Sequence, residues 1–156
     1  MESRGNARHA AAQEIMSARA ERPTVEDGGM CFCCGTKNPI GLKLTFETLP
    51  NGRTRTYWTP RPEHQGFKDI VHGGLVSTLM DEVMIRHLYA NGIRAVTAEL
   101  STRFLRPVRT GKRYRFESWL LEDKGRVVTA EMEGFDEESG ERVATGSAKC
   151  VRVPGA

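Results

Sequence analysis

From Gly41 the chain alternates in period two: Leu42, Leu44 and Phe46 are apolar, while Lys43, Thr45 and Glu47 are polar. That is the pattern of a half-buried strand. Pro50-Asn51-Gly52 reads as a turn, and Arg53–Trp58 as the returning strand. Pro60, Pro62, Gln65, Gly66 and Asp69 mark an irregular loop. The period then changes. Apolar residues at 75, 76, 79, 80, 83, 84 and 88, with amphipathic His87, follow i, i+3, i+4 spacing and predict a helix over 74–91. Asn91-Gly92 is its stop. Four further strands are predicted over 94–105, 112–122, 126–136 and 141–153, separated by turns at 107–111, 123–125 and 138–140.

The order is therefore a hairpin, one long apolar helix and four strands, which we expect to run as a meander. A single helix with a wide apolar face needs to be wrapped, and a curved antiparallel sheet does so. The expected class is α+β, with a curved antiparallel sheet around one long central helix, which is the layout of the hotdog fold. Residues 1–29 read as an N-terminal extension, with a helix over Ala7–Ala20 favoured by its alanines and glutamate. Residues 30–156 read as one domain.

Composition narrows the function classes. With 38% hydrophobic and 28% charged residues, the 156-residue chain has an ordinary soluble balance. A net charge of +3 is too mild to predict a nucleic-acid partner. The longest apolar run, 75–88, is interrupted by Asp81, Glu82 and Arg86, so no membrane span is expected, and the expected location is the cytoplasm. Cys31, Cys33 and Cys34 are too close together for a disulfide framework, and with Cys150 they read as reduced thiols. Cys31 and Cys34 form a C-x-x-C to which Cys150 or a histidine could add ligands. No second C-x-x-C exists, so no metal or other cofactor is expected.

The chemistry concentrates in Val71-His72-Gly73-Gly74 and the helix that follows. The first N–H groups of a helix have no internal partner, and the dipole there is positive. A developing oxyanion at Gly73 or Gly74 would be stabilised, as acyl transfer requires. Asp81 is the second element. Glu82 has Arg86 four residues on, but Asp81 has no helical ion partner and borders the apolar stripe, where a carboxylate is costly unless paired or used. Gly73 and Asp81 are eight positions apart, about 12 Å along a helix. One carbonyl cannot touch both within one chain. The spacing thus predicts an isologous dimer, or a dimer of dimers, with sites at the interface.

His-Gly-Gly, six residues, then Asp resembles the PaaI-type branch of the hotdog thioesterases. So do Cys31-Phe32-Cys33-Cys34-Gly35-Thr36-Lys37-Asn38-Pro39-Ile40-Gly41-Leu42, His64-Gln65-Gly66 and Glu99–Val108. The resemblance spans about residues 31–153. It implies hydrolysis of acyl-CoA thioesters, with Asp81 as general base or nucleophile, the Gly73 N–H holding the carbonyl oxygen, Thr97 helping to hold water and His72 shaping the turn. Relatives often carry an Asn where this chain has Gly66, so Gln65 is the candidate substitute donor, with His64 and Gly74 beside the substrate. Arg103 and Arg106 are candidates for the phosphates of CoA. Two other readings stand beside hydrolysis. One is a hydratase or dehydratase using His64 with Asp81 or Glu82. The other is a non-catalytic acyl-CoA-binding module.

Overall fold

The computed structural model describes residues 25–154. Strands β1 (Phe46–Thr48) and β2 (Thr54–Trp58) form the first hairpin. After it come a 3-10 turn (Pro62–His64) and a small hairpin of β3 (Gln65–Phe67) and β4 (Ile70–Val71). Helix α1 (Gly73–Ala90) leads into β5 (Ala95–Phe104), β6 (Tyr114–Asp123), β7 (Val127–Asp136) and β8 (Arg142–Arg152). The six long and hairpin strands form one antiparallel sheet in the order β1-β2-β6-β7-β8-β5. The sheet curves around α1, which touches every one of these strands. The fold is the hotdog fold.

The helix forms where the apolar period placed it, and for that reason. Val76, Leu79, Met80, Val83, Met84, His87 and Leu88 are all buried against the sheet. Each large apolar side chain contributes roughly 1.5–3 kcal/mol on burial. The inner face of β7 alternates strictly, presenting Val128, Ala130, Met132 and Gly134. Close approach of the helix selects small residues opposite it. A Cβ on Gly146 would lie 2.6 Å from Met80 Cε of the helix; within the sheet, one on Gly134 would lie 2.5 Å from Cε1 of Phe116, its partner on β6.

Two local expectations change. The strands after the helix are not a simple meander. Only β6, β7 and β8 run as neighbours, while β5 lies at the far edge beside β8. The helix crosses beneath the sheet and releases the chain at that edge, so the loop after β5 must cross back to reach β2 and β6. Upstream, Leu42 and Leu44 do not join β1. Lys43 between them has φ +57°, which breaks the extended path. The Leu42 and Leu44 N–H groups donate instead to Phe32 O and Cys33 O, each at 2.8 Å. The loop 30–44 is thereby laid along the outer side of α1, with Cys33 Sγ donating to Thr78 O at 3.7 Å. The helix expected over 7–20 falls outside the described residues.

Candidate active site

The start of α1 is built so that one amide is left over. His72 caps the helix: its Nδ1 accepts the Gly74 N–H at 2.9 Å. Its carbonyl oxygen accepts from Leu75 N–H at 2.9 Å and Val76 N–H at 3.3 Å. No described residue accepts the Gly73 N–H. Of the two glycines, therefore, Gly73 is the free donor, and Gly74 is consumed by the cap. Acceptance at Nδ1 assigns the His72 proton to Nε2.

Gly73 opens onto a cavity of about 650 Å³. Gly66, Val71, Val76, Phe104 and Val108 are among its walls, together with His72 and Ser77. The lining is mostly apolar with a few polar groups, the usual character of a small-molecule site. Phe67, 79% exposed, and Phe104, 52% exposed, stand at its margin. Alternation along β5, with Glu99, Ser101 and Arg103 on one face and Leu100 and Phe104 on the other, carried the signal for Phe104, to which the sequence reading gave no role.

Asp81 lies two turns further along and does not line this cavity. It is half-buried, and its Oδ1 accepts from Thr97 Oγ1 at 2.6 Å. The structure thus brings together Asp81 and Thr97, which are 16 positions apart in sequence. Burial pushes the Asp81 carboxyl above the usual range; the Thr97 hydroxyl opposes that and the neighbouring Glu82 adds to it. Glu82 itself pairs with Arg86, Oε1 to Nε at 2.8 Å. Amide and carboxylate both belong to α1, eight positions apart, which at about 1.5 Å per residue is roughly 12 Å.

The remaining candidates divide. Arg106 lines the cavity and pairs with Glu141 at 2.9 Å. Arg103 lies elsewhere, in a shallow depression with Trp119, Glu131 and Glu133. Gln65 does not reach the cavity. Its Oε1 accepts the Asp69 N–H at 2.7 Å, so its work is to close the β3–β4 hairpin, and the structure gives the expected second carbonyl donor no support there. His64 is a structural post. It is buried and stacked on Trp58 with centroids 5.4 Å apart, and its Nδ1 accepts the Arg61 N–H at 2.9 Å. Burial, with Arg61 nearby, holds its imidazole below the ordinary pKa. Its carbonyl oxygen accepts the His72 N–H at 2.9 Å, which sets the residue that caps the helix.

The wrapped helix and its glycine start define a hotdog-fold protein. Residues 68–143, just under half of the chain, match the family model described as the thioesterase superfamily. Solved structures agree on the fold. A thioesterase superfamily protein superposes with a TM-score of 0.75 at 23% identity, covering 94% of this chain and 75% of the other. The PaaI protein of E. coli, from the phenylacetic acid degradation operon, gives 0.68 at 19% identity, covering 74% and 83%. A hypothetical thioesterase protein from Streptococcus pneumoniae TIGR4, solved with coenzyme A, gives 0.65 at 16% identity, covering 72% and 86%. No curated protein matches the chain in sequence. No helix among the described residues is long and apolar enough to cross a membrane.

Proposed function

We propose that the protein hydrolyses acyl-CoA thioesters to the free acid and CoA, at sites shared between two copies of the chain. One observation carries the reading: at the start of α1 the Gly73 N–H donates to no described residue and Gly73 lines an apolar cavity, while a half-buried carboxylate, Asp81, lies two turns away. Each is half of a hydrolytic site. In a dimer with antiparallel helices, Asp81 of one protomer faces the Gly73 amide of its partner, with the thioester between them. The edge strand β5, with Leu100 and Phe104 exposed, is the surface on which a second copy fits.

In this reading the thioester carbonyl accepts the Gly73 N–H, and the helix dipole favours charge building on that oxygen. Asp81 takes a proton from water as the water attacks the carbonyl carbon, or attacks the carbon itself to form an acyl anhydride that water then hydrolyses. Its raised proton affinity suits the first role. The Thr97 hydroxyl fixes the carboxylate through Oδ1, leaving Oδ2 for the water. The CoA thiolate leaves and takes up a proton. The apolar cavity walls take the acyl chain, and Arg106 at the rim is placed for a CoA phosphate. The solved relative with coenzyme A supports the choice of thiol, and the superfamily match supports the reaction class.

The test is release of free thiol from a panel of acyl-CoAs of aromatic, short and medium chain length. We expect turnover with at least one class, and a loss of about 10²–10⁴ in kcat for Asp81→Asn with the fold intact. A folded Asp81→Asn variant at near-wild-type rate removes Asp81 from the mechanism. Binding of every thioester without thiol release would point to a binding module instead.

A further inference from the structure

On the outer side of α1, away from the cavity at Gly73, two thiols and a carboxylate meet. Cys31 and Cys34 lie in the loop laid along the helix. That loop is closed tightly, with Gly35 N–H donating to Cys31 O at 2.8 Å. Gly35 is required there, because a Cβ would lie 2.5 Å from Cys31 N and 2.6 Å from Cys31 O. The Lys43 ammonium braces the same loop by donating to the carbonyl oxygens of Gly35 at 3.0 Å, Thr36 at 2.9 Å and Asn38. The turn brings both sulfurs to Glu82. The ligand atoms of Cys31, Cys34 and Glu82 all lie within 4.8 Å of one another, and Cys34 Sγ donates to Glu82 Oε1 at 3.1 Å. Ligands of one zinc ion, at about 2.3 Å for sulfur and 2.0–2.2 Å for oxygen, stand roughly 3.5–3.8 Å apart in a tetrahedron, so a small adjustment of these side chains closes the set on one ion.

We propose that Cys31, Cys34 and Glu82 form a binding site for a thiolate-preferring divalent cation, zinc foremost, which fastens the N-terminal loop to helix α1. Two sulfurs select zinc over magnesium or calcium. Binding forms two metal–sulfur bonds and one metal–oxygen bond, and releases the two thiol protons to solvent. The three anionic ligands exceed the charge of the ion by one. Arg86 supplies the balancing cation, with Nε 2.8 Å from Glu82 Oε1 and Nη2 against Cys34 Sγ. A fourth ligand position opens on a cavity of about 720 Å³ bordered by Asp27, Met30, Arg86 and Tyr89, which admits water or a small anion. Cys33 and Cys150 take no part, since Cys33 points to Thr78 O and Cys150 lies 4.0 Å from Thr97 Oγ1. The C-x-x-C therefore finds its third ligand on the helix, rather than in the Cys150 or histidine that the sequence offered.

The full-length protein, reduced and incubated with zinc sulfate, is desalted against a weak chelator and its metal content measured. Cobalt is loaded in parallel, and its thiolate charge-transfer absorption recorded. We expect about one zinc per chain in the wild type and in Cys33→Ala and Cys150→Ala. Loss of zinc and of the cobalt band is expected in Cys31→Ser and Cys34→Ser, and at least tenfold weaker zinc binding in Glu82→Gln. A wild type that keeps no more zinc than the Cys31→Ser/Cys34→Ser double variant overturns the proposal. Equal loss in Cys33→Ala or Cys150→Ala also overturns it. Glu82→Gln keeps the side-chain volume, so if a cysteine variant fails to fold, unchanged zinc affinity in Glu82→Gln decides against the site. None of these readouts depends on thioester turnover.

Discussion

Replacing Gly73 with proline separates the fold from the chemistry at one atom. Gly73 is the first residue of α1, the helical position at which proline is favoured. The residue before it, His72, sits at φ −58° and ψ 126°, in the extended region that a following proline demands. The Gly73 N–H donates to no described residue, so the fold loses no hydrogen bond. The new Cβ would stand 3.4 Å from Phe104 Cζ, an ordinary contact. The unfolded chain loses freedom, so stability should be unchanged or about 0.4–1 kcal/mol higher. The oxyanion donor is gone, and losing one such donor costs about 10²–10³ in kcat, roughly 2.7–4 kcal/mol of barrier. Gly73→Ala is the control, because it adds the same Cβ and keeps the N–H; it should stay within about tenfold of wild type. Thiol release under saturating thioester gives kcat, and thermal unfolding by circular dichroism gives stability. Mixing adds a sharper reading. Gly73→Pro and Asp81→Asn chains, unfolded together and refolded in equal amounts, place one intact site in each mixed dimer, and about a quarter of wild-type activity should return. A Gly73→Pro enzyme that keeps its rate would refute the oxyanion assignment. Inert mixtures containing verified mixed dimers would refute the shared site.

Thr97→Val keeps the shape but removes the hydroxyl on Asp81 Oδ1; we expect a fall in kcat of about tenfold, read by the same thiol assay, consistent with a lost charge-assisted hydrogen bond. Gly134→Ala would set a Cβ 2.5 Å from the buried Phe116 ring, and should cost about 1–3 kcal/mol in urea unfolding, with thioester turnover per folded molecule unchanged. Burial holds His87, whose Nδ1 lies 3.2 Å from Thr54 Oγ1, below the ordinary imidazole pKa, and His64 likewise. The native state keeps these rings neutral while the unfolded chain takes up protons below about pH 6.5. Stability is then full above that value and declines as pH falls through it, by at most about 1.4 kcal/mol per pH unit for each ring. Unfolding curves at pH 7 and pH 5 should converge in His87→Gln relative to wild type; parallel curves would sink that account.

The helix was legible because its apolar period is long and its buried set is the predicted one, with Leu75 alone at the margin. The strands β6, β7 and β8 were legible because hairpin turns make their pairing local. The place of β5 was not, since its partner β8 is set by tertiary closure that no turn residue announces. Around the site, the His-Gly-Gly start showed where free amides would lie and the resemblance pointed to Gly73; the Nδ1 cap on Gly74 supplies the physical reason. Asp81 was marked by the lack of a helical partner, and its true partner, Thr97, comes from across the crossover. Gln65 was read from its place in the motif, and the turn in which its Oε1 accepts the Asp69 N–H was not visible in the sequence. Glu82 was read as half of a surface pair with Arg86; that pair exists, but the thiol loop resting on it was invisible without the fold.

The far-edge position of β5 has a consequence during synthesis. Thr97 pairs with Cys150 across the sheet, so the strand that supplies the hydroxyl for Asp81 has no neighbour until β8 has left the ribosome. Helix and cap can be assembled on the nascent chain before that moment, but the carboxylate gains its anchor, and the cavity its wall at Phe104–Arg106, only with the final strand. A truncated or stalled product therefore carries the greasy helix without its last covering, and lacks a fixed Asp81.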